Sequence, residues 1–90
     1  MSDPIELPDR LPSSSAAALT QLLGEPEARC IRIDGRRVRM IGALAADQLA
    51  DFVFRTEAIG GRVFIEASAD MADDLRLLGL HDHLFQKGAE

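Results

Sequence analysis

Residues 29–54 read RCIRIDGRRVRMIGALAADQLADFVF, and the other predicted elements are arranged around them. This stretch opens as an alternating strand in which Ile31 and Ile33 share one face, and it turns at Asp34 and Gly35. A short apolar segment then leads into an amphipathic helix. Such a junction places the unpaired backbone N–H groups of a helix start beside an exposed turn, where binding chemistry is often found.

Strand and helix patterns alternate outward from this stretch. Residues 5–7 alternate as a short strand, and the following Pro8 suits a sheet edge. Residues 62–67, which read RVFIEA, are rich in strand-favouring side chains. Apolar stripes at helical spacing predict three helices. Their members are Ala16, Leu19, Leu22 and Leu23; Ala45, Leu49, Phe52 and Val53; and Met71, Leu75 and Leu78.

Local signals mark where these helices begin and end. Residues 13–15 are three serines that offer N-cap oxygens to the first helix, and Ser68 offers one to the last. Gly24, the pair at residues 60–61 and Gly79 follow the helices, where a left-handed residue is expected. The order predicts an α/β fold with one domain over residues 1–90. We expect a small single-layer mixed, mainly parallel sheet of about four strands with helices packed against it.

Composition restricts the function further. The chain has 90 residues and a formal net charge of -5, which argues against non-specific nucleic-acid binding. One cysteine, Cys30, excludes an intramolecular disulfide framework. The N-terminal residues lack the basic and apolar regions of a secretion signal, and no apolar run approaches the roughly 20 residues of a membrane span. We therefore expect a cytoplasmic protein without direct membrane insertion.

Four segments in order give the chain a family resemblance. They are LPDRL at residues 7–11, IRIDGRRVRMIGAL at residues 31–44, VFI at residues 63–65 and LLGL at residues 77–80. Together they resemble a STAS domain over roughly residues 5–85. The STAS family includes bacterial anti-sigma factor antagonists, chemotaxis-associated adaptors and the small subunit of phospholipid transporters.

The resemblance implies a particular surface and also a departure from the family. Family members carry Asp-Ser-Ser-Gly-Leu or a variant at the loop before the second helix, and a partner kinase phosphorylates the first serine. Here residues 42–46 read GALAA, so Ala43 replaces the phosphoacceptor, and no serine occurs between Ser15 and Ser68. A phosphate would have added a charge of about −2 to this surface. The chain is therefore not expected to be switched by phosphorylation there.

The function implied is that of a non-catalytic signalling adaptor. Its partner would be an anti-sigma or histidine-kinase-like protein, or a chemotaxis complex, bound through the loop and helix at residues 40–48. The expected partner-binding residues are Asp34, Met40, Ile41, Gly42, Ala43, Leu44 and Asp47. Two alternatives stay open: a transporter subunit that binds the cytosolic ATPase of a phospholipid ABC transporter, and a domain that binds a nucleotide or lipid beside Asp34. Edge pairing at residues 5–7 would allow a homodimer.

Other candidate chemistry has simpler explanations. Five arginines fall within residues 29–39 and could form a positive patch for acidic partners or anionic head groups, but a solvated strand and turn would show the same pattern. His81, Asp82 and His83 fall short of a four-ligand metal set unless the fold brings Cys30 near, and Cys30 itself is expected inside the sheet as a small apolar residue. The adjacent carboxylates Asp73 and Asp74 are expected on an exposed helix face. We therefore expect no enzyme activity, no catalytic residue, no metal and no cofactor.

Overall fold

The computed structural model describes residues 4–80 as a β-α-β-α-β-α framework with two additional short strands. The strands are β1 Ile5–Glu6, β2 Arg10–Leu11, β3 Cys30–Gly35, β4 Met40–Ile41 and β5 Arg62–Ala67. The helices are α1 Ala16–Leu23, preceded by a 3-10 turn at Ser13–Ser15, then α2 Ala43–Ala58 and α3 Ala69–Leu77. The predicted α/β class and its alternation of strands and helices are confirmed.

The strands of this part of the chain divide between two sheets. One sheet has the order β1-β3-β5, and the other pairs β2 with β4. Every described pairing is parallel, which agrees with the mainly parallel expectation. The single sheet of about four strands is replaced by a three-stranded and a two-stranded sheet. β2 and β4 contain two residues each, which is too short for a periodic pattern to reveal.

Among residues 4–80, the helices cover one face of the larger sheet and leave the other open. In β3, Ile31 and Ile33 are 4 % and 1 % exposed, whereas the alternate residues Cys30 and Arg32 are exposed. β5 repeats this alternation, with Val63 buried and its neighbours on the other face exposed. The outer face of the described sheet is thus open. Cys30 lies within the sheet, as expected, but it is exposed on this face, because the alternation that buries Ile31 turns Cys30 outward.

The core forms between the sheet and the predicted helix stripes. Its members are Leu7, Leu11, Leu19, Leu23, Ile31, Ile33, Val38, Ile41, Ala45, Ala46, Leu49, Phe52, Val53, Val63, Met71 and Leu75. Leu22 and Leu78 were expected in the stripes but are 45 % and 38 % exposed. Leu22 lies beside the line that Leu19 and Leu23 define on α1, and Leu78 follows the last residue of α3. No helix within residues 4–80 has both the length and the apolar character needed to span a bilayer.

The predicted helix ends agree with the backbone. Gly24, Gly60 and Gly79 have φ angles of 73°, 93° and 75°, and each follows a helix where a left-handed residue was expected. Ser68 accepts a hydrogen bond from the Met71 N–H at 3.0 Å and so caps α3 as predicted. The serines before α1 behave differently, because the N-cap of that helix makes no side-chain hydrogen bond.

Candidate functional site

The candidate site is the start of α2. Its N-cap residue is Gly42, which has no side chain to offer to the helix. The missing cap comes from another part of the chain, because the Ser13 hydroxyl accepts a hydrogen bond from the Leu44 N–H at 3.2 Å. The Gly42 N–H in turn donates to the Leu11 carbonyl at 2.7 Å. Two hydrogen bonds therefore attach the beginning of α2 to the segment before α1.

Gly42 is required by the closeness of this contact. A Cβ atom at Gly42 would lie 2.6 Å from the Ser13 backbone nitrogen and 2.8 Å from the Ser13 hydroxyl oxygen. Its φ of -82° is accessible to any residue, so space and not backbone conformation dictates glycine here. The glycine that opens the predicted binding loop thus has a packing role.

Strand β4 is held from both sides just before α2 begins. The Ile41 N–H donates to a carboxylate oxygen of Asp74 in α3 at 2.9 Å, and the Arg39 N–H donates to the Asp9 carbonyl at 2.6 Å. Asp74 was expected on an exposed helix face, but it is half-buried and accepts a backbone hydrogen bond. Its neighbour Asp73 is exposed as expected and pairs with Arg76.

The structure divides the predicted partner-binding residues by exposure. Ala43 and Asp47 are exposed in the first turns of α2, and Leu44 between them is 57 % exposed. Met40 and Gly42 are half-buried. Ile41 is only 3 % exposed and belongs to the core, so it supports this surface from beneath. We call the exposed group of Ala43, Leu44 and Asp47 the α2 patch.

Asp34 has contacts of a different kind. Its carboxylate accepts two hydrogen bonds from the Arg36 guanidinium, both at 3.0 Å, and one from the Arg36 N–H at 3.1 Å. The hydrogen bonds from Arg36 lower the pKa of Asp34 from 3.8 to about 2. Asp34 lies in register with Glu6 on one side and Glu66 on the other. These neighbours of Asp34 belong to the sheet and its turn, whereas the start of α2 contacts Ser13, and Asp74 contacts the preceding strand β4.

Carboxylates accompany much of the arginine-rich stretch. Arg29 forms an ion pair with Glu27, Arg32 lies 3.6 Å from Glu66, and Arg36 binds Asp34. Two surface depressions beside this turn are each lined by side chains of both charge signs. These contacts favour the solvated strand and turn over a dedicated anion site.

The metal hypothesis finds no support in the described residues. Residues 4–80 contain no group of three or more His, Cys, Asp or Glu side chains placed to hold a metal ion. Cys30 is exposed on the open sheet face. His81, Asp82 and His83 lie outside the described residues. The sequence also predicts that residues 80–85 pack as a short terminal segment, and all of that segment except Leu80 lies outside the described residues.

Two residues of the site, Ser13 and Asp74, were not found from the sequence. Ser13 has the local signature of a cap for α1, and Asp74 that of a solvated helix residue. The hydrogen bond of Ser13 spans 31 positions of the sequence, and that of Asp74 spans 33. No local sequence pattern could therefore reveal them. No model of a known protein family, no curated protein and no solved structure matches this chain. The geometry at the start of α2 therefore carries the functional argument.

Proposed function

We propose that this protein is a non-catalytic bacterial signalling adaptor of the STAS type, which docks on a protein partner through the α2 patch. The carrying observation is the 57 % exposure of Leu44 in the first turn of a well-anchored helix. A large apolar side chain on a fixed element can bury its surface in a partner with little ordering cost. Asp47, one turn further along α2, supplies charge for orientation.

The anchoring of the patch supports a docking role. Ser13 and Leu11 hold the start of α2, while Asp74 holds the preceding strand. A partner would therefore meet a surface that is already ordered. The predicted contacts at Met40 and Gly42 would lie at the half-buried margin of this surface, and Ile41 would act through packing alone.

The proposed adaptor works without a phosphate switch in the α2 patch. Ala43 is exposed at the first position of α2, but a methyl group cannot accept a phosphoryl group. Control of binding would then come from the partner or from its supply. The proposed partner is an anti-sigma or histidine-kinase-like protein, or a chemotaxis complex, in the cytoplasm. Such a role needs neither a catalytic group nor a cofactor.

The test is affinity capture with matched variants. Tagged wild-type protein is immobilised and exposed to native cytosolic and membrane fractions, and the retained proteins are identified by mass spectrometry. Leu44→Asp and Ala43→Glu alter the patch at exposed positions and leave the core residues unchanged. Leu22→Asp is the control, because Leu22 is a similarly exposed leucine on α1.

We expect the wild type and Leu22→Asp to retain one kinase-like or chemoreceptor-complex protein. The two patch variants should lose that protein. Equal retention of that protein by all four forms would contradict docking through the patch. Patch-dependent capture of a transporter ATPase would instead support the phospholipid-transporter alternative. Titration calorimetry with nucleotides and anionic lipid vesicles addresses the remaining alternative, and binding heat that Asp34→Lys abolishes would favour it over the adaptor.

A further inference from the structure

The outer edge of β5 is the longest unpaired strand edge in the described fold. β5 ends the order β1-β3-β5 and pairs only with β3 among residues 4–80. The opposite edge, β1, contains two residues, and Pro4 and Pro8 flank it. Short length and proline are common protections of an edge strand, and the six-residue β5 has neither; its charged residues, Arg62 and Glu66, lie toward its two ends.

The backbone of β5 directs alternate residues to this free edge. The Arg62 N–H donates to the Arg29 carbonyl at 3.0 Å, which places the backbone groups of Arg62 on the side of β3. In a parallel ladder, successive residues alternate in the side to which their N–H and C=O groups point. Val63 and Ile65 therefore direct their backbone groups outward, where a further strand could bind them.

The sequence of β5 is complementary to itself when it is reversed. In an antiparallel pair of two β5 strands centred on Phe64, Arg62 of one copy lies opposite Glu66 of the other. Val63 then lies opposite Ile65, and Phe64 meets its own counterpart. The pairs combine opposite charges, two β-branched side chains and two aromatic rings, which are the combinations that stabilise neighbouring strands.

We propose that β5 pairs with the β5 of a second copy of this chain, antiparallel and about a twofold axis at Phe64, to form a continuous six-stranded sheet. Val63 and Ile65 exchange the backbone hydrogen bonds in this arrangement, so the Phe64 pair has the close spacing of about 4.5 Å between Cα atoms. The twofold axis makes each charge contact occur twice.

The exposure of β5 agrees with such a partner. Phe64 is 50 % exposed on the open sheet face. Ile65 faces the core but is only half-buried, whereas its neighbour in register, Ile33, is 1 % exposed. A second β5 would cover both residues. This homodimer uses the opposite edge from residues 5–7, where the sequence had suggested edge pairing.

Two complementary charge-reversal variants, examined separately and mixed, test the register of the proposed β5 pair. Arg62→Glu sets the introduced glutamate against Glu66 twice in its homodimer, and Glu66→Arg sets two arginines against each other twice. Each variant alone should dimerise at least about tenfold more weakly than the wild type. An equimolar mixture should recover the wild-type association, because each glutamate then faces an arginine in the heterodimer. Arg55→Glu and Glu25→Arg are exposed controls with matched charge changes.

Sedimentation velocity over concentrations up to roughly 100 µM measures this association, and circular dichroism verifies that each variant is folded. Glu66 also lies 3.6 Å from Arg32, so the folding check applies particularly to Glu66→Arg. A monomeric wild type over this range would overturn the proposal. A dimer whose association is unchanged in the two β5 variants would also overturn it. That result would follow if residues 81–90 covered the edge or if the dimer formed through another surface.

Cross-linking checks the position of the axis. In a Cys30→Ser background, Phe64→Cys should form an intermolecular disulfide under mild oxidation, because the expected Cα spacing suits that bond. Arg32→Cys is the control, since residue 32 lies one strand further from the axis and its two copies would be about 14 Å apart. Equal cross-linking at the two positions would overturn the proposed register.

Discussion

The hydroxyl oxygen of Ser13 accepts a hydrogen bond from the backbone N–H of Leu44 at 3.2 Å, so the turn before α1 caps the start of α2. A second contact joins α1 itself to α2, because the Thr20 hydroxyl donates to the Gln48 side-chain oxygen at 2.9 Å. The α2 patch is thus held by α1 and its preceding turn. Its geometry depends on residues well outside the loop in which the patch lies.

Loss of this cap should destabilise the protein. Ser13→Ala leaves the Leu44 N–H without its side-chain acceptor, and we expect the free energy of unfolding to fall by about 1 kcal/mol, the typical cost of losing a capping side chain at a helix start. Urea denaturation followed by circular dichroism measures it. Ser14→Ala is the matched control and should change stability little, since Ser14 is exposed. Equal effects of the two variants would contradict the capping role of Ser13.

Gly42→Ala should destabilise the protein through a steric clash. The added methyl group would lie 2.6 Å from the Ser13 nitrogen, and relief of this contact requires backbone movement that we expect to cost about 1–3 kcal/mol. Thermal and urea unfolding measure the loss. Introducing Gly42→Ala into the Ser13→Ala protein should cost nearly as much, because the backbone nitrogen remains in place. If the clash involved the Ser13 hydroxyl alone, Gly42→Ala would reduce the free energy of unfolding much less in the Ser13→Ala protein than in the wild type.

The sequence predicts the main sheet and helices because their signals are local. Ile31 and Ile33 alternate with polar residues, and the α2 stripe repeats every three or four positions. The second sheet escapes prediction because Arg10 pairs with Met40 in two segments that are each two residues long. Nothing within such a segment distinguishes a strand from a loop.

The sequence predicts where the candidate site lies but not which contacts hold it together. The sequence indicates the start of α2 correctly and suggests that Ala43, Leu44 and Asp47 are accessible there. It does not separate Ile41, which lies in the core, from the accessible residues of the site, and it does not show that Ser13 and Asp74 complete the hydrogen bonding. Those features depend on contacts between residues far apart in the chain, which form only when the sheet and helices have packed.

Asp74→Ala should loosen β4. The Asp74 carboxylate accepts the Ile41 N–H at 2.9 Å in a half-buried setting, and loss of a charged acceptor there should cost about 1.5–3 kcal/mol. Hydrogen exchange by NMR should show faster exchange of the Ile41 amide. Asp73→Ala is the control on the adjacent exposed residue, and its effect should stay below about 1 kcal/mol. Unchanged exchange at Ile41 in Asp74→Ala would contradict the assigned hydrogen bond.

Thr56→Val should stabilise the protein. Thr56 is completely buried in α2, and its hydroxyl has no hydrogen-bond partner among the described residues. Replacing an unpaired buried hydroxyl by a methyl group removes a desolvation cost, and we expect the free energy of unfolding to rise by about 1 kcal/mol. Thr20→Val is the informative contrast, because the Thr20 hydroxyl bonds Gln48 and its loss should not stabilise. A destabilised Thr56→Val protein would imply a partner for this hydroxyl.

The pair of Asp34 and Arg36 should make stability depend on pH in the acid range. Hydrogen bonds from Arg36 lower the folded-state pKa of Asp34 from 3.8 to about 2, so the ionised carboxylate favours the folded protein. Its stabilising contribution is present above about pH 4 and is lost as the pH falls through about 2. The stability difference between wild type and Asp34→Asn should therefore shrink over that interval, as measured by urea unfolding. Carboxyl carbon NMR provides the direct check: Arg36→Gln should return the pKa toward 3.8, and an ordinary pKa in the wild type would contradict the pairing.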